Sequence, residues 1–549
     1  MSGLARERLV VAGLFAAGFI YLFRDWLFSG FDRIFGDDSD GEIFIAIVEH
    51  WYRVFRGDAH WPDPIFFYPE AGTLGFTDAA FLYGIVHATA RVIGADPFTA
   101  YMIVMAGLAV IGFFAFLRLA HRHFSLPLPI AGIGAFLFAF ANLNATSLIH
   151  GQIYCAMLLP ALCDLTLTAW KEEKAKVAAL LAAPAGLLHA LVFLTGYQVA
   201  WFFTFLALIF ALLHPLVFGP SATRMLVREA FTAKRAMVAS YAAAFAIGLI
   251  PFLKLYMPVL FSGRSREFAE VAANAPGAGD ILNVTPSNML WGDVLQAVRI
   301  TGRPDRPWWE VDLGFTPVVF GVLLATTLLL ALTTRHSHEP AGQRDRWLLV
   351  LAAGVLLSWL LQLDYFGFRP WKIVWGIVPG AGAMRYTFRS QAVANLFAML
   401  VVARGFEALS VAGPRRVIAR VGFFALACVA LIEQVNLQWP PTISRRATSA
   451  WIDAVPPPPS GCSVFYLAPG LAPVDRAGWI HQADAMLFSQ IRNIPTVNGY
   501  SSWLPEGWNL EEPSSPGYAA AVRQWADARK VTGLCGLDLG RGVWTVGLP

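Results

Sequence analysis

Hydrophobic residues in this chain gather into long runs that are separated by short polar stretches. A helix that crosses a bilayer needs roughly 20 consecutive apolar residues, and about eleven runs approach that length. They cover residues 9–28, 99–119, 126–145, 153–170, 177–194, 199–213, 237–257, 315–332, 347–363, 389–409 and 417–435. The stretch Thr195-Gly196-Tyr197-Gln198 leaves open whether its surroundings form two short helices or one broken helix. The pattern predicts an all-α polytopic membrane protein.

The composition agrees with this pattern. Of the 549 residues, 57% are hydrophobic and 14% are charged, whereas a soluble domain carries about 25% charged residues. The mean hydropathy is +0.55. The basic residues behind the net charge of +4 are spread over many short loops, so we expect membrane lipids and no nucleic acid as partners.

The basic residues follow the positive-inside rule. If the N terminus is cytoplasmic, loops on that side carry Arg118, Arg122, Lys171, Lys174, Lys176, Arg224, Arg228, Lys234, Arg235, Arg335, Arg344, Arg346, Arg415, Arg416 and Arg420. The short opposite loops, residues 144–152 and 195–198, carry no lysine or arginine. The first apolar run lacks a small-residue cleavage site, which predicts a retained membrane helix. We therefore expect a multi-pass protein of a bacterial inner membrane, with residues 29–98, 258–314, 364–388 and the tail in the periplasm.

In the first outer loop, residues 29–98, the spacing of apolar residues predicts two amphipathic helices. Ser39 and Glu42 fit a capping box, which predicts that a helix begins there. Its apolar positions are Ile43, Phe44, Ile47, Val48, Trp51 and Phe55, with Glu49, Arg53 and Arg56 on the other face. Thr77 and Asp78 are expected to cap a second helix over residues 79–93. Both helices are predicted to lie flat on the membrane surface.

The chain divides into a transmembrane part, residues 1–437, and an extracytoplasmic tail, residues 438–549. After a proline run at residues 456–459, the tail alternates strand-like and helix-like patterns. Strands are expected at residues 463–467 and 542–546 and helices at 484–491 and 518–530, which predicts a small α/β domain. Cys462 and Cys535 both lie in the tail, where an oxidising compartment permits a disulfide between them.

Negative charge is concentrated where the first helix of the outer loop begins. Asp37, Asp38 and Asp40 lie beside Ser39 and Glu42 at the lipid boundary. Carboxylates at a helix start satisfy free N–H groups and the helix dipole, so capping alone is one interpretation. In a partly desolvated cleft a carboxylate instead acts as a general base for an acceptor hydroxyl. Asp38 and Asp40 also form an Asp-x-Asp pattern that suits a divalent cation such as Mg²⁺ or Mn²⁺.

Positive charge on the outer segments marks candidate phosphate ligands, because an arginine can hold two phosphate oxygens with parallel bonds. Arg385 and Arg389 are four residues apart at a helix end, so we expect them to share one face. They either bind a donor phosphate or anchor the helix at the interface. Lys372 and His150 are further phosphate candidates, although a lone histidine is more often structural. The other outer cations considered are Arg264, Arg266, Arg299, Arg303, Arg306 and Arg369.

Aromatic residues on the outer segments are candidates for stacking on a sugar or lining a lipid groove. His60, Trp61 and Tyr68 lie in the first loop, and Tyr500 and Trp503 lie in the tail. Such residues also anchor membrane proteins at the interface without binding a ligand. Asp78 is either a helix cap or a second carboxylate of the same site.

Three local patterns resemble those of the GT-C superfamily of polytopic glycosyltransferases. They are Asp40 followed by residues 47–51 and Phe66-Phe67-Tyr68-Pro69, the stretch from Pro379 to Arg389, and Asn498-Gly499-Tyr500-Ser501. The long acidic first loop, the many membrane helices and the outer tail are similar to that superfamily as well. The resemblance implies a lipid-phosphate sugar donor and a catalytic aspartate in the first loop, at Asp40, Asp38 or Asp37.

These observations favour an inverting glycosyltransferase that moves a hexose or a pentose from a polyprenyl-phosphate-type donor. The acceptor is a glycan, a lipid or a protein on the outer face, where no nucleotide sugars are expected. A lipid or oligosaccharide flippase or transporter is an alternative, although the apolar runs contain few charges and no internal repeat. A third alternative is a non-catalytic assembly protein for a cell-envelope polymer.

Overall fold

A computed structural model describes residues 3–298, 313–334, 340–411, 416–438, 441–468 and 477–548. The residues named above that lie outside this part are Arg299, Arg303, Arg306, Arg335 and Arg415. Within it the chain is predominantly helical, as the apolar pattern predicts, and it also contains two small sheets.

The helices and strands fall into three groups along the chain. The first group contains α1 (Gly3–Leu22), α2 (Arg24–Phe28), β1 (Arg33–Phe35), α3 (Asp40–Arg56), α4 (Phe81–Val92), α5 (Pro97–His123), α6 (Leu128–Ala139), α7 (Leu143–Ile149), α8 (Leu159–Lys171), α9 (Ala175–Phe193), α10 (Tyr197–Phe218), α11 (Pro220–Phe231) and α12 (Arg235–Phe261). The second contains α13 (Phe268–Ala273), α14 (Gly292–Ala297), α15 (Pro317–Thr333), α16 (Pro340–Leu360), α17 (Trp371–Ile377), α18 (Ser390–Val411) and α19 (Arg416–Ile432). The third contains β2 (Thr442–Ser444), α20 (Arg445–Ala454), β3 (Val464–Leu467), α21 (Gly478–Arg492), α22 (Tyr518–Arg529), β4 (Leu534–Asp538) and β5 (Val543–Val546).

Six segments of the described chain are long and apolar enough to cross a membrane, by length and composition. They are Pro97–His123, Ile153–Lys171, Ala175–Phe193, Tyr197–Phe218, Arg235–Phe261 and Thr387–Ser410. The shorter apolar helices Leu128–Ala139, Pro317–Thr333 and Val421–Ile432 coincide with three further predicted spans. Because α9 and α10 are separate helices, the Thr195-Gly196 stretch joins two spans rather than interrupting one. The total of about eleven spans and their orientation stay predictions.

The first outer loop contains both predicted helices, α3 and α4, but the polar side of α3 does not face water. A helix lying flat on a membrane would expose Glu49 and Arg53, yet both are buried. The Glu49 carboxylate lies 2.8 Å from His87 Nε2 and accepts a hydrogen bond from Arg91 Nε at 3.0 Å, both on α4. Arg53 Nη1 donates to Gln490 Oε1 of α21 at 3.2 Å. The expectation of a water-facing side is therefore wrong at Glu49, which contacts α4, and at Arg53, which contacts α21 of the tail.

The tail contains a three-stranded sheet in the order β3, β4, β5. β3 and β4 are parallel, whereas β4 and β5 are antiparallel. β3, β5, α21 and α22 overlap the segments predicted from the sequence, but β4 is not predicted, since Gly536 and Asp538 interrupt its pattern. Cys462 and Cys535 form a disulfide with their Cα atoms 5.6 Å apart. Whether the tail is a separate domain stays a prediction.

Backbone hydrogen bonds join the tail to the first outer loop. β1 pairs with β2 in antiparallel register, with Ile34 opposite Ile443. Phe67 N donates to Asn498 O at 2.9 Å. Residues of both parts, Asp37 and Ile443 among them, line one cavity. The tail is thus held against the start of α3, where the acidic cluster lies.

Candidate functional site

Asp37, and not Ser39, provides the side-chain cap at the start of α3. The Asp37 Oδ1 atom accepts hydrogen bonds from the backbone N–H groups of Ser39 and Gly41, both at 3.1 Å. The Ser39 side chain makes no capping hydrogen bond, so the predicted capping box is wrong. Desolvation and the neighbouring charge of Asp40 raise the pKa of Asp37. One of the three aspartates is therefore used to build the helix start.

Asp40 is the first residue of α3, and its carboxylate is held by His150. The Asp40 Oδ2 atom lies 2.8 Å from His150 Nδ1, with the histidine buried and 43% of the Asp40 side chain exposed. Desolvation raises the pKa of Asp40, but the contact with His150 and the positive charge of Arg389 outweigh it, so the net pKa is lowered. The structure thus brings together two predicted site residues, and Asp40 is ionised at neutral pH.

Asp78 caps a different helix from the one that the sequence pattern predicts. Its Oδ1 atom accepts a hydrogen bond from Tyr197 N, the first residue of α10, at 3.0 Å. The residue that precedes α4 is Ala80, in a left-handed conformation and without a side-chain cap, so the predicted cap of that helix is wrong. Burial raises the pKa of Asp78 to about 6, although the Tyr197 amide and the charge of Arg389 oppose that rise. Asp78 therefore lies within electrostatic reach of Arg389, as Asp40 does.

Arg385 and Arg389 lie close together, but not through a shared helix face. Arg389 belongs to a 3₁₀ turn, Thr387–Arg389, and α18 begins only at Ser390. The two guanidinium groups lie over the same ring, that of Tyr386, with Cζ atoms 4.9 Å and 4.8 Å from its centroid. Arg389 is buried, and its Nη1 atom donates to Gln198 Oε1 at 3.4 Å. The expectation of a helical i, i+4 pair is wrong, because Tyr386 replaces the helix as the common support.

Arg385 also belongs to a charged cluster that the sequence pattern does not predict. Glu270 Oε1, on α13, lies 3.0 Å from Arg385 Nε and 3.1 Å from Arg266 Nη1. Arg266 in turn lies over the ring of Trp503, with its Cζ atom 4.7 Å from the centroid. Arg266 is four residues before Glu270, but Arg385 is distant in the chain, so the sequence pattern does not predict that Glu270 contacts both.

An apolar cavity of about 580 Å³ opens beside these residues. Its walls come from α9, α10, α12, the segment before α18 and the tail, and they include Tyr197, Arg264, Met384, Ser502 and Trp503. Tyr197 links the cavity to the charged groups, because its N–H binds Asp78 and the next residue, Gln198, binds Arg389. Gln198 and Tyr197 lie in the short outer turn 195–198, whose polar residues are the signal that sequence reasoning left unused.

A second cavity, of about 610 Å³, lies beside the start of α3. Asp37, Asp38 and Glu42 line it together with His481 and Asp484 of the tail. In the part of the chain that the structure describes, no group of three or more His, Cys, Asp or Glu side chains is arranged to hold a metal ion. Asp40 Oδ2 is in contact with His150 Nδ1. A divalent cation bound by Asp38 and Asp40 stays a prediction.

Several predicted residues have contacts elsewhere. His60 pairs with Asp63, the ring of Trp61 stacks on Trp51, and the Tyr68 carbonyl accepts a hydrogen bond from Trp525. Tyr500 is 38% exposed. Lys372 Nζ lies 5.8 Å from the ring centroid of Phe268 on α13. The structure thus brings Asp40 and His150 into contact and places Arg385 and Arg389 over the same ring, and Trp503 lines the 580 Å³ cavity.

No protein-family model matches the sequence, and no curated protein matches it. Among solved structures, the apo oligosaccharyltransferase of Archaeoglobus fulgidus has a TM-score of 0.50 and 12% identity, and the match covers 96% of this chain and 69% of that one. For the arabinofuranosyltransferase AftD from Mycobacteria the TM-score is 0.48 at 14% identity, over 84% of this chain and 30% of that one. For ArnT from Cupriavidus metallidurans bound to undecaprenyl phosphate the TM-score is 0.42 at 11% identity, and the match covers 90% of this chain and 86% of that one. The first comparison shows that this chain shares its fold with that oligosaccharyltransferase.

Proposed function

We propose that the protein transfers a sugar from a polyprenyl-phosphate-type donor to an acceptor on the outer face of a bacterial inner membrane. The observation that carries the proposal is one arginine, Arg389, within electrostatic reach of two aspartates and hydrogen-bonded to Gln198, the neighbour of Tyr197 in the wall of an apolar cavity. Such a cavity suits an isoprenoid chain, and the arginine suits its phosphate. The fold shared with an oligosaccharyltransferase supports glycosyl transfer as the reaction class.

In this reaction Asp40 is the general base and the anomeric configuration inverts. Asp40 takes the proton of the acceptor hydroxyl while the oxygen attacks the anomeric carbon. The bond between that carbon and the donor phosphate oxygen breaks on the opposite side, and the phosphate leaves with the electron pair. Arg389 and Arg385 neutralise the charge that develops on the phosphate. The lowered pKa of Asp40 keeps it ionised, and hence able to accept the proton, at neutral pH.

The choice of Asp40 over its neighbours rests on their contacts. Asp37 is occupied by two backbone amides, and Asp38 faces the other cavity. Asp40 Oδ2 lies 2.8 Å from His150 Nδ1, which orients the Asp40 carboxylate. The sugar, hexose or pentose, and the acceptor, whether glycan, lipid or protein, are left to experiment.

The test is sugar transfer by the purified full-length protein in nanodiscs, with a panel of undecaprenyl-phosphate hexoses and pentoses as donors. We expect Asp40→Asn to lower the turnover rate by roughly 10²- to 10⁴-fold, the usual contribution of a general base. Asp58→Asn is the matched control, because Asp58 is an exposed aspartate just beyond the other end of α3. An Asp40→Asn protein that transfers sugar at the wild-type rate would refute the assignment.

A further inference from the structure

A single carboxylate oxygen bridges two arginines near the apolar cavity. Glu270 Oε1 lies 3.1 Å from Arg266 Nη1 and 3.0 Å from Arg385 Nε. Glu270 is on α13, whereas Arg385 lies more than a hundred residues further along the chain. One anionic oxygen shared by two guanidinium groups is the arrangement that a phosphate oxygen also adopts with arginines.

The arginines of this cluster lie at the rim of the cavity. Arg264, Ser502 and Trp503 line the cavity wall, and Arg266 both stacks on Trp503 and donates to the Ser502 carbonyl at 3.3 Å. Met384, which precedes Arg385, lines the wall as well. A molecule with an apolar chain in the cavity therefore presents its head group to the two arginines that Glu270 bridges.

The charges at the rim favour an anionic head group. Arg266 and Arg385 contact one carboxylate between them, and Arg385 shares the ring of Tyr386 with Arg389. The Glu270 carboxylate carries one negative charge, whereas Arg266 and Arg385 carry two positive charges between them. A phosphate, with a higher charge and more acceptor oxygens, is the stronger ligand for them.

We infer that Glu270 is an internal substitute for the phosphate of a lipid ligand. In the ligand-free protein its carboxylate holds Arg266 and Arg385 in place. When a lipid phosphate enters, it takes over both arginines and Glu270 moves away, because two anions repel each other at that distance. When the lipid leaves, Glu270 returns. The competition weakens lipid binding and speeds release of the spent carrier, while the arginines stay oriented.

This inference rests on the proposed function only for the role of the lipid as spent donor. Binding of the lipid phosphate itself requires no transfer reaction and no particular base. The two proposals are therefore separable: Asp40→Asn is expected to bind lipid phosphate as the wild type does, even though it does not transfer sugar.

The test compares the affinity of wild type and Glu270→Gln for undecaprenyl phosphate by native mass spectrometry of the detergent-solubilised full chain. We expect Glu270→Gln to bind roughly three- to tenfold more tightly, since two partly exposed ion pairs no longer have to be broken. Glu267→Gln is the matched control, because it removes the same charge from an exposed residue just before α13, and its affinity is expected to equal that of the wild type.

Three results would overturn the inference. Unchanged or weaker lipid binding by Glu270→Gln means that the carboxylate does not compete with phosphate. If Glu267→Gln gains as much affinity for the lipid as Glu270→Gln does, the gain comes from the loss of any negative charge and not from the ion pairs of Glu270 with Arg266 and Arg385. If inorganic phosphate alone binds more tightly to Glu270→Gln while the lipid does not, the ligand is free phosphate and not a lipid head group. Glu270→Asp, with its shorter side chain, is expected to lie between wild type and Glu270→Gln and to fold as the wild type does.

Discussion

At the scale of single residues, Asp40 and Asp78 acquire different ionisation although both feel the charge of Arg389. Desolvation raises the pKa of both carboxyls. At Asp40 the contact with His150 outweighs desolvation, so the pKa of Asp40 is lowered. Asp78 has one backbone amide as its hydrogen-bond partner at 3.0 Å, and its pKa rises to about 6. Near neutral pH Asp40 is a stable anion, whereas Asp78 begins to take up a proton in mild acid.

The raised pKa of Asp78 predicts a specific dependence of stability on pH. An unfolded aspartate has a pKa of about 3.9, so between that pH and about 6 the folded protein binds more protons at Asp78 than the unfolded chain does. Its contribution to the free energy of unfolding is therefore fully present below pH 3.9 and is lost as the pH rises through 6, by up to about 3 kcal/mol.

We compare the melting temperature of the wild type with that of Asp78→Asn. We expect the wild-type value minus the variant value to be larger at pH 4.5 than at pH 7. Asparagine keeps an oxygen for the Tyr197 N–H but does not titrate. For Asp58→Asn, at an exposed position, the difference in melting temperature from the wild type is expected to be the same at both pH values. If the melting temperature of the wild type minus that of Asp78→Asn instead increases from pH 4.5 to pH 7, the pKa of Asp78 is not raised. The measurement is differential scanning fluorimetry of the solubilised protein.

At the scale of elements, the direction of α3 depends on a close approach of two glycines. Gly36 has a φ of 115°, a conformation that favours glycine. A Cβ atom added to Gly41 would lie 2.6 Å from Gly36 Cα. The turn between them carries Asp37 and Asp40, so this contact sets where α3 begins and where the Asp40 carboxylate points.

Gly41→Ala is expected to push the start of α3 away from Gly36. The added methyl group meets backbone, which cannot rotate aside, so we expect a loss of roughly 1–3 kcal/mol in stability and a fall in transfer rate beyond that stability loss. Gly107→Ala is the control, because a Cβ at Gly107 on α5 meets nothing within 4 Å. Wild-type transfer by Gly41→Ala would show that the position of Asp40 does not depend on this contact.

At the scale of the whole molecule, Asn498 connects the tail to the first outer loop. Its side chain accepts a hydrogen bond from Leu467 N at 2.8 Å and donates to Gln482 Oε1 and to the Tyr518 hydroxyl, both at 3.0 Å. Its backbone carbonyl accepts the hydrogen bond of Phe67 N at 2.9 Å. The tail motif that resembles GT-C proteins therefore has a structural role at this position.

Asn498→Ala is expected to destabilise the tail by roughly 1–3 kcal/mol, since buried polar partners lose their hydrogen bonds. If the two parts behave as one unit, hydrogen–deuterium exchange should speed up at Phe67 and Tyr68 as well as within the tail. Asn509→Ala, at an exposed position, is expected to leave exchange at both places unchanged. Faster exchange in the tail alone would show that the first loop holds its conformation independently.

The sequence by itself determined the features that depend on near neighbours in the chain. Run length and period predict the membrane helices, the helices α3 and α4, and most elements of the tail, because hydrophobic burial acts on each segment separately. The sequence also placed Asp40, Arg389 and His150 among the candidates, but without their partners. Only the tertiary structure decided that Asp37 caps α3, that Asp78 caps α10, and that Glu270 bridges Arg266 and Arg385. The contact of Asp78 with Tyr197 and that of Glu270 with Arg385 join residues more than a hundred positions apart, and the cap on α3 depends on a backbone turn, so helical periodicity does not predict them.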